Sequence, residues 1–326
     1  MLRKALSFVV VAFAFSIGLG NSSHAQTYPT HAINIVVPYN PGGMPDVMAR
    51  IVGQKLAENV GQPVVIENKP GGAGIIGAQY FLSRALPDGY TIFLLDNNTA
   101  AINAAVYPDL PYDPARDFIP VAQAVEGYVY LVANAKAGIS TLDELVASAR
   151  KNPGKLNYAS PGTATLHHLG MEQLALMAGI KLVHVPYRGT AQATTDLLRG
   201  DVAFMFATLA SVSQHVEEGS LRLIAVGAPK RSALTPDVPT LDELGLKGFL
   251  AGTTMGFAVK AGTPPEIVSK LNAEINKALK APNVIAGIDV LGVRPINTSP
   301  EQFGNQLAVD RTMYLKLVKD INFKLN

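Results

Sequence analysis

The chain of 326 residues contains no cysteine, and this absence narrows what it can be. Without cysteine there is no disulfide and no cysteine on which a lipid anchor could be placed. An excess of one charge is also lacking, since 27 Lys and Arg stand against 25 Asp and Glu. Loss of residues 1–25 would remove Arg3 and Lys4 and no acid, leaving 25 of each sign. Such a balance does not favour nucleic acid or an anionic membrane as a partner.

Long apolar runs are confined to the N-terminus. Ala5–Leu19 is apolar and follows a positively charged start, but it is too short for a comfortable membrane span. Residues 23–25, Ser-His-Ala, place small side chains at both recognition positions of an export signal. We therefore expect residues 1–25 to be a signal peptide cleaved near Ala25, with an uncleaved signal anchor as the alternative. A freely diffusing, exported protein without disulfides is typical of a bacterial periplasm.

Catalytic signatures are scarce as well. The motifs G-x-S-x-G and H-E-x-x-H do not occur. His167 and His168 are adjacent, so on a helix they point about 100° apart and cannot chelate one metal as an i, i+4 pair does. Ser160 and His168 remain conceivable as a nucleophile and its base, which leaves a periplasmic hydrolase open as one alternative. We expect no metal and no cofactor.

Strand-like and helical patterns alternate along the whole chain. The exported part, about 300 residues, is large for a single core and suggests two lobes. The alternation predicts α/β layers with largely parallel sheets. Besides Ile33–Val37 and a short strand before residue 161, the predicted strands are Pro63–Glu67, Tyr90–Leu95, Val129–Ala133, Leu182–Val185, Val202–Phe206, Leu223–Val226 and Met255–Val259. Helical spacing covers about 48–60, 75–86, 141–151, 166–178, 190–199 and 264–281.

The first candidate binding feature is a glycine loop between a strand and a helix. Ile33–Val37 predicts a buried strand, and the following first turn, residues 38–44, contains Gly42 and Gly43. Asp46 then falls in the first turn of a helix. Free N–H groups at such a helix start suit an anion. An ordinary surface turn is the alternative.

A second turn, residues 70–74, belongs to a stretch that matches a dinucleotide fingerprint. Gly72, Gly74 and Gly77 follow the pattern G-x-G-x-x-G, and Asp96 lies about twenty residues further on. In that fingerprint the first glycine directly follows a strand, whereas residues 67–71 intervene here. The spacing therefore disfavours a dinucleotide site and favours a second backbone-lined loop that faces the first.

Two more strand–turn–helix units follow in the middle of the chain. The third turn, Ser160–Thr165, is rich in hydroxyl groups, which either cap the next helix or donate to a ligand carboxylate. The fourth turn, Tyr187–Ala191, follows another short strand and precedes a helix. It contains Arg188, the only cation within the turns assigned to binding, which is left open between a ligand contact and a surface charge.

These motifs together resemble a known family. In order they read YPTHAINIVVPYNPGG, GQPVVIENKPGGAGIIGA, LNYASPGT with HHL, and HVPYRGTAQATTDLLRGDVAFMF. From Tyr28 almost to the C-terminus the chain resembles the Bug family of periplasmic solute receptors, which are related to the binding subunit of tripartite tricarboxylate transporters. The resemblance implies an α/β, two-lobe periplasmic-binding-protein-like fold with two hinge strands. Lobe 1 would comprise 27–127 and 253–326, lobe 2 would comprise 128–252, and the C-terminal helices would cover lobe 1.

The resemblance also implies which residues hold the ligand. From the four turns these are Pro41, Gly42, Gly43, Gly72, Ala73, Gly74, Ser160, Thr163, Thr165, His168, Tyr187, Gly189, Thr190 and Ala191. We add Tyr39, Met44, Phe206 and Ala207 as apolar or aromatic walls of the same cleft.

Two departures from the family pattern suggest the kind of ligand. Met44 and Pro45 stand where many relatives carry small hydroxyl residues, and Ala207 stands where many carry aspartate. An ammonium group would lack an acceptor there, so amino acids should bind poorly. We expect a small carboxylate, with an aromatic mono- or dicarboxylate ahead of citrate-like acids, unless Met44 and Ala207 merely pack against their neighbours.

The resulting prediction is a monomeric, non-enzymatic receptor that passes a carboxylate to a tripartite tricarboxylate-type transporter. A receptor of the same fold that presents its ligand to a membrane sensor kinase is the alternative, because the sequence does not distinguish the two partners.

Overall fold

The computed structural model describes residues 28–324. The predicted signal peptide and its cleavage site lie outside this range. None of the helices between residues 28 and 324 combines the length and the apolar character needed to cross a membrane.

Strands and helices alternate through most of the described chain. The strands are β1 Ile33–Val37, β2 Val64–Asn68, β3 Thr91–Asp96, β4 Phe118–Tyr128, β5 Tyr130–Asn134, β6 Asn157–Ser160, β7 Val183–Pro186, β8 Phe204–Ala207, β9 Leu221–Val226, β10 Gly252–Lys260 and β11 Arg294–Pro295. The α-helices are α1 Met44–Val60, α2 Ile75–Arg84, α3 Asn103–Val106, α4 Leu142–Lys151, α5 Leu166–Ala178, α6 Thr190–Arg199, α7 Ser213–Glu217, α8 Pro265–Leu279, α9 Pro282–Asp289 and α10 Pro300–Asp320. A π-helical turn, Asn98–Ile102, precedes α3.

The strands form two sheets, each the centre of one lobe. The six-stranded sheet of the first lobe has the order β11-β4-β10-β3-β1-β2, and the five-stranded sheet of the second lobe has the order β7-β6-β8-β5-β9. β2, β1 and β3 are mutually parallel, as are β7, β6 and β8. The remaining neighbours pair antiparallel. The expectation of largely parallel sheets therefore holds for only three strands of each sheet.

The chain passes between the lobes at one narrow place. β4 of the first lobe ends at Tyr128, and β5 of the second begins at Tyr130. The Val129 N–H donates to the carbonyl of Ala251 at 3.0 Å, and its carbonyl accepts from Gly227 N at 2.9 Å. Two strand crossings thus lie side by side, as a hinge requires. The exact boundaries at 127/128 and 252/253 remain a proposal.

Helix α10 packs on the first lobe and also reaches the second, a contact that the expectation of C-terminal helices covering lobe 1 did not include. Phe303 and Leu307, in its first half, pack with Phe93 in a core cluster of the first lobe. Tyr314 and Leu317, in its second half, belong to the main core cluster of the second lobe. A helix of 21 residues spans about 30 Å, which is long enough to reach both lobes.

All the predicted strands form, and their ends lie within two residues of the expected ones except in β10, which begins three residues early. Two further strands, β4 and β11, were not predicted. β4 was missed because its apolar pattern is interrupted by Pro120, Gln123 and Glu126, and because its register with β10 shifts twice. Such irregularities break the two-residue period by which strands are recognised in a sequence.

Candidate functional site

The strand registers place all four turns at the junction of the lobes. Met255, near the start of β10, lies opposite Asp96 at the carboxyl end of β3. Tyr130, at the start of β5, lies opposite Ala207 at the carboxyl end of β8. Because β5 and β10 both begin at the lobe crossing, the carboxyl ends of the parallel strands in both sheets also lie there. The turns that follow β1, β2, β6 and β7 therefore line two facing edges, where ligands bind in open α/β sheets.

Asp46 holds the first turn in shape. Its buried carboxylate accepts from the Gly42 N–H at 2.9 Å, from the Asn68 amide at 2.9 Å and from the Arg50 guanidinium at 2.9 Å. Burial alone would raise the pKa of Asp46, but these hydrogen bonds bring the pKa below its ordinary value. The Gly42 N–H is thus engaged, so Gly43 and the helix start remain as donors.

The second turn is built from backbone in the left-handed region. Gly72, Ala73 and Gly74 have φ angles of 56°, 52° and 89°. The Ala73 carbonyl accepts from the side-chain amides of Asn98 at 3.4 Å and Asn103 at 3.0 Å. Sequence reasoning missed these two asparagines, although Asn98 lies just after the buried strand β3, where polar residues are a signal for a site.

Replacing Gly74 by alanine should displace this turn. A β-carbon at Gly74 would overlap the Thr99 methyl group, and alanine is strained at the φ of 89°. Together these effects should cost about 2–4 kcal/mol of unfolding free energy. Gly61→Ala is the matched control, because its φ is 69° but a β-carbon there meets nothing within 4 Å. In urea denaturation the control should lose only about 1 kcal/mol of unfolding free energy. Equal losses of unfolding free energy in the two variants would contradict the packing argument.

Tyr39 of the first turn is tied to Asp96. Its hydroxyl donates to the Asp96 carboxylate, whose other oxygen accepts from the Thr99 N–H at 2.9 Å and the Thr99 hydroxyl at 2.7 Å. Burial raises the pKa of Asp96 and, with the Asp96 charge beside it, raises the pKa of Tyr39 well above its ordinary value. The Tyr39 hydroxyl is therefore occupied, and only its half-buried ring is offered to a ligand.

The third turn is braced from within. The buried Ser160 hydroxyl contacts the carbonyl of Gly162 at 2.8 Å, and the Thr165 hydroxyl donates to the same carbonyl at 2.8 Å. The Ala164 N–H donates to Nδ1 of His168 at 3.1 Å. Three of the predicted ligand contacts, Ser160, Thr165 and His168, are thus committed to the turn itself, while Thr163 is exposed.

The fourth turn is joined to the third. The Tyr187 N–H donates to the Ser160 carbonyl at 2.9 Å. Gly189 precedes α6 without a side-chain cap, which leaves the N–H groups of Thr190 and Ala191 at the helix start. Arg188 is exposed.

Two predicted wall residues are core residues instead. Phe206 is fully buried and its ring lies 5.9 Å from that of Phe249. Ala207 is fully buried in a cluster with Tyr130 and Val226. Both belong to β8, the central strand of the second sheet, where Phe206 packs against α5 on one face and Ala207 against α6 on the other. The expectation that Phe206 forms a wall and that the Ala207 methyl group faces the ligand is corrected accordingly.

Most of the polar groups that remain free at the junction of the lobes are backbone N–H donors. Helices α1, α5 and α6 begin there, and so does the short 3₁₀ turn that leads into α2. Across residues 28–324, these N–H groups have no protein acceptor: Gly43, Met44, Gly72, Ala73, Thr163, Thr190 and Ala191. Helix starts carry a partial positive charge, so the arrangement suits an anion.

Catalysis and metal binding find little support in this geometry. The ring nitrogen nearest the Ser160 hydroxyl is Nε2 of His184, at 2.6 Å, and not that of His168. Ser160 is fully buried, so its oxygen has no open path to a substrate. Within the described range 28–324, no three His, Asp or Glu side chains cluster in a way that would hold a metal ion.

Comparison with known proteins decides the family. Residues 48–323 match the family described as tripartite tricarboxylate transporter family receptor. The protein BugT of Bordetella pertussis is 32% identical over 97% of this chain and 97% of its own length. The chain belongs to the tripartite tricarboxylate transporter receptors. The resemblance to the Bug family is thereby confirmed, and this family consists of solute-binding receptors rather than enzymes.

Solved structures of related receptors share the two-lobe fold. "R. palustris Rpa4515 with adipate" has a TM-score of 0.83 and 29% identity, covering 90% of this chain and 98% of its own. MatC from Rhodopseudomonas palustris with bound malate has a TM-score of 0.80 and 30% identity, covering 89% and 100%. The two-lobe α/β architecture of this family receptor is confirmed by both.

Proposed function

We propose that the protein is a periplasmic receptor that binds a small carboxylate between its lobes and delivers it to membrane transporter subunits, without catalysing a reaction. The observation that carries this proposal is the meeting of helix starts from both lobes at the hinge edges, with Arg188 as the only cation in the four turns. Hydrogen bonds to a charged carboxylate contribute roughly 1.5–3 kcal/mol each, so three or four of them support micromolar binding, about −8 kcal/mol.

A dicarboxylate fits this arrangement best. Donors stand on both lobes, so one carboxylate can contact the first and second turns while the other contacts the third and fourth. The related receptors named with adipate and malate support this class. We further propose that the ligand carries an aromatic group. Tyr39, Tyr187 and Met44 support this proposal, whereas Phe206 and Ala207 do not, because both are buried.

Calorimetry on the protein from Gln26 onward tests the ligand class. We expect malate, adipate or phthalate to bind. Benzoate has a single carboxylate, and the ammonium group of aspartate would face N–H donors, so both should bind less tightly. A ligand at 100 times its dissociation constant should also raise the unfolding free energy by about 2.7 kcal/mol in a thermal-shift assay. Small-angle scattering should show a smaller radius of gyration with the bound acid, because contacts to both lobes favour closure. Binding of aspartate alone, or of no acid at all, would overturn the proposal.

The balance between backbone donors and the cation can be tested directly. Thr190→Pro removes one N–H at the first residue of α6, where proline is compatible with a helix. We expect it to weaken binding about ten- to a hundredfold, the loss of one hydrogen bond to a charged group. Thr190→Ala, which keeps the N–H, is the control, and Arg188→Ala should change affinity less than Thr190→Pro. Loss of binding in Arg188→Ala alone would contradict the backbone-donor account.

A further inference from the structure

His184 lies in β7, next to β6, and none of the four turns includes it. We propose that His184 is a positioning residue that sets the spacing between the third and fourth turns. The inference deepens the proposed function, on which its consequence for ligand affinity rests. His184 supports the beginning of the third turn through Ser160 and its end through His168, and it reaches the fourth turn through the Ser160 carbonyl.

The first contact fixes the beginning of the third turn. Nε2 of His184 lies 2.6 Å from the Ser160 hydroxyl oxygen. That hydroxyl donates to the Gly162 carbonyl at 2.8 Å and accepts from the Gly162 N–H at 3.2 Å. Since the hydroxyl proton is used on Gly162, the Ser160 oxygen accepts this bond and Nε2 of His184 donates it. Burial lowers the pKa of His184 to about 4, so the donating ring is neutral at pH 7. The His184 imidazole thus fixes the Ser160 hydroxyl, and that hydroxyl in turn fixes the backbone of Gly162.

The second contact fixes the end of the same turn. The His184 ring stacks on His168 with centroids 3.6 Å apart and an interplanar angle of 17°. Nδ1 of His168 accepts from the N–H of Ala164, which has a φ of 59°. A non-glycine residue in this left-handed region is held there by its surroundings. Removing the His184 ring would leave His168 with only Tyr158 and Phe323 as ring contacts in the described chain, and would so weaken its support of Ala164.

The third contact reaches the fourth turn. Ser160, held by His184 through its side chain, accepts from the Tyr187 N–H through its carbonyl at 2.9 Å. The free N–H of Thr163 and those of Thr190 and Ala191 lie on the two sides of this link. Their separation, and hence their fit to one carboxylate, depends on the contacts of His184.

Two variants separate the hydrogen bond from the ring stack. His184→Phe keeps a flat ring against His168 but removes the donor to Ser160, whereas His184→Gln keeps a donor of similar reach and removes the ring. His215→Gln is the control, because His215 lies on α7 and contacts Glu218 at 3.4 Å. Calorimetry uses malate and adipate as probes, and hydrogen exchange of the Gly162 and Ala164 amides is followed in the protein without added acid.

We expect His184→Phe to lower the affinity about tenfold, equivalent to about 1.4 kcal/mol, and to speed exchange at Gly162 about tenfold or more. His184→Gln should recover slow exchange at Gly162 and most of the affinity, while exchange at Ala164 should rise. Exchange in the first turn should stay unchanged in both variants. Such rescue by a partial replacement would not follow from a general loss of stability.

The outcomes separate the inference from the function on which it rests. If the unaltered protein binds neither acid, the proposed ligand class is wrong, and exchange at Gly162 and Ala164 alone decides the role of His184. If the unaltered protein binds and His184→Phe matches it in affinity and exchange, the inference is overturned. If His184→Phe does not fold, fast exchange at Gly162 in His184→Gln overturns it, and slow exchange there supports it.

Discussion

Replacing Tyr314 by alanine should lower the free energy of unfolding by about 3–5 kcal/mol, the range for removing a large buried aromatic side chain. Tyr314 is 2% exposed and packs in the main core of the second lobe, although α10 begins on the first. Its hydroxyl accepts from the Asn97 amide at 3.3 Å, and Asn97 in turn donates to the Gly252 carbonyl at the lobe crossing. The residue therefore joins α10, the first sheet and the second lobe at one place.

Urea denaturation measures this effect, and two variants define its origin. Tyr314→Phe removes only the hydroxyl and should cost about 1 kcal/mol or less. Leu315→Ala, at a position 49% exposed on the same helix, should change stability by less than about 0.5 kcal/mol. A loss in Tyr314→Ala no larger than that in Leu315→Ala would show that α10 does not anchor the second lobe.

Stability should fall as the pH is lowered, and the stacked His168 and His184 contribute to this fall together with His167, whose pKa burial lowers to about 4. Burial, with His184 beside it, lowers the pKa of His168 to about 3, and burial lowers the pKa of His184 to about 4. In the unfolded chain both return to about 6.5. At a pH between the folded and the unfolded pKa values, the two histidines are protonated in the unfolded chain and neutral in the folded protein. Above pH 6.5 both histidines are neutral in either state, so they do not lower the free energy of unfolding. As the pH falls below 6.5, the free energy of unfolding decreases progressively.

From pH 7 to pH 5 the pair should lower the free energy of unfolding by about 2–4 kcal/mol, with the smaller share from the partly exposed His184. The nearest acid is Glu172, 3.9 Å from His168 and bonded to the Tyr158 hydroxyl, so one carboxylate faces this stack. Urea denaturation at the two pH values tests the effect. His184→Gln should lose part of the pH dependence and His215→Gln should keep it, whereas identical pH dependence in all three proteins would contradict the assignment.

The candidate site illustrates how far local patterns reach. Each turn was recognisable because a β-rich run, a glycine and a helix start lie within about fifteen residues, and local backbone preferences decide such units. The partner of Ser160 was not recognisable. His168 is nearer in sequence, but the parallel register of β6 and β7 brings His184 to that hydroxyl.

The misplaced residues have a similar cause. Ala207 and Phe206 follow the same apolar pattern whether their strand lies at an edge or in the centre of a sheet. Only the tertiary structure shows that β8 lies between β6 and β5 and that α5 packs on one of its faces and α6 on the other. The prediction that amino acids bind poorly because Ala207 faces the ligand lost its basis for this reason. The prediction that the glycine turns supply backbone donors does not depend on Ala207.

By itself the sequence determined the family, the order of strands and helices, and the four turns, because short-range spacing and glycine positions are properties of contiguous residues. Tertiary structure alone decided which polar groups remain free, that α10 joins both lobes through Tyr314, and that His184 supports the third turn. These features depend on contacts between residues far apart in the chain. Such contacts follow from strand order and register, and no local pattern of the sequence encodes them.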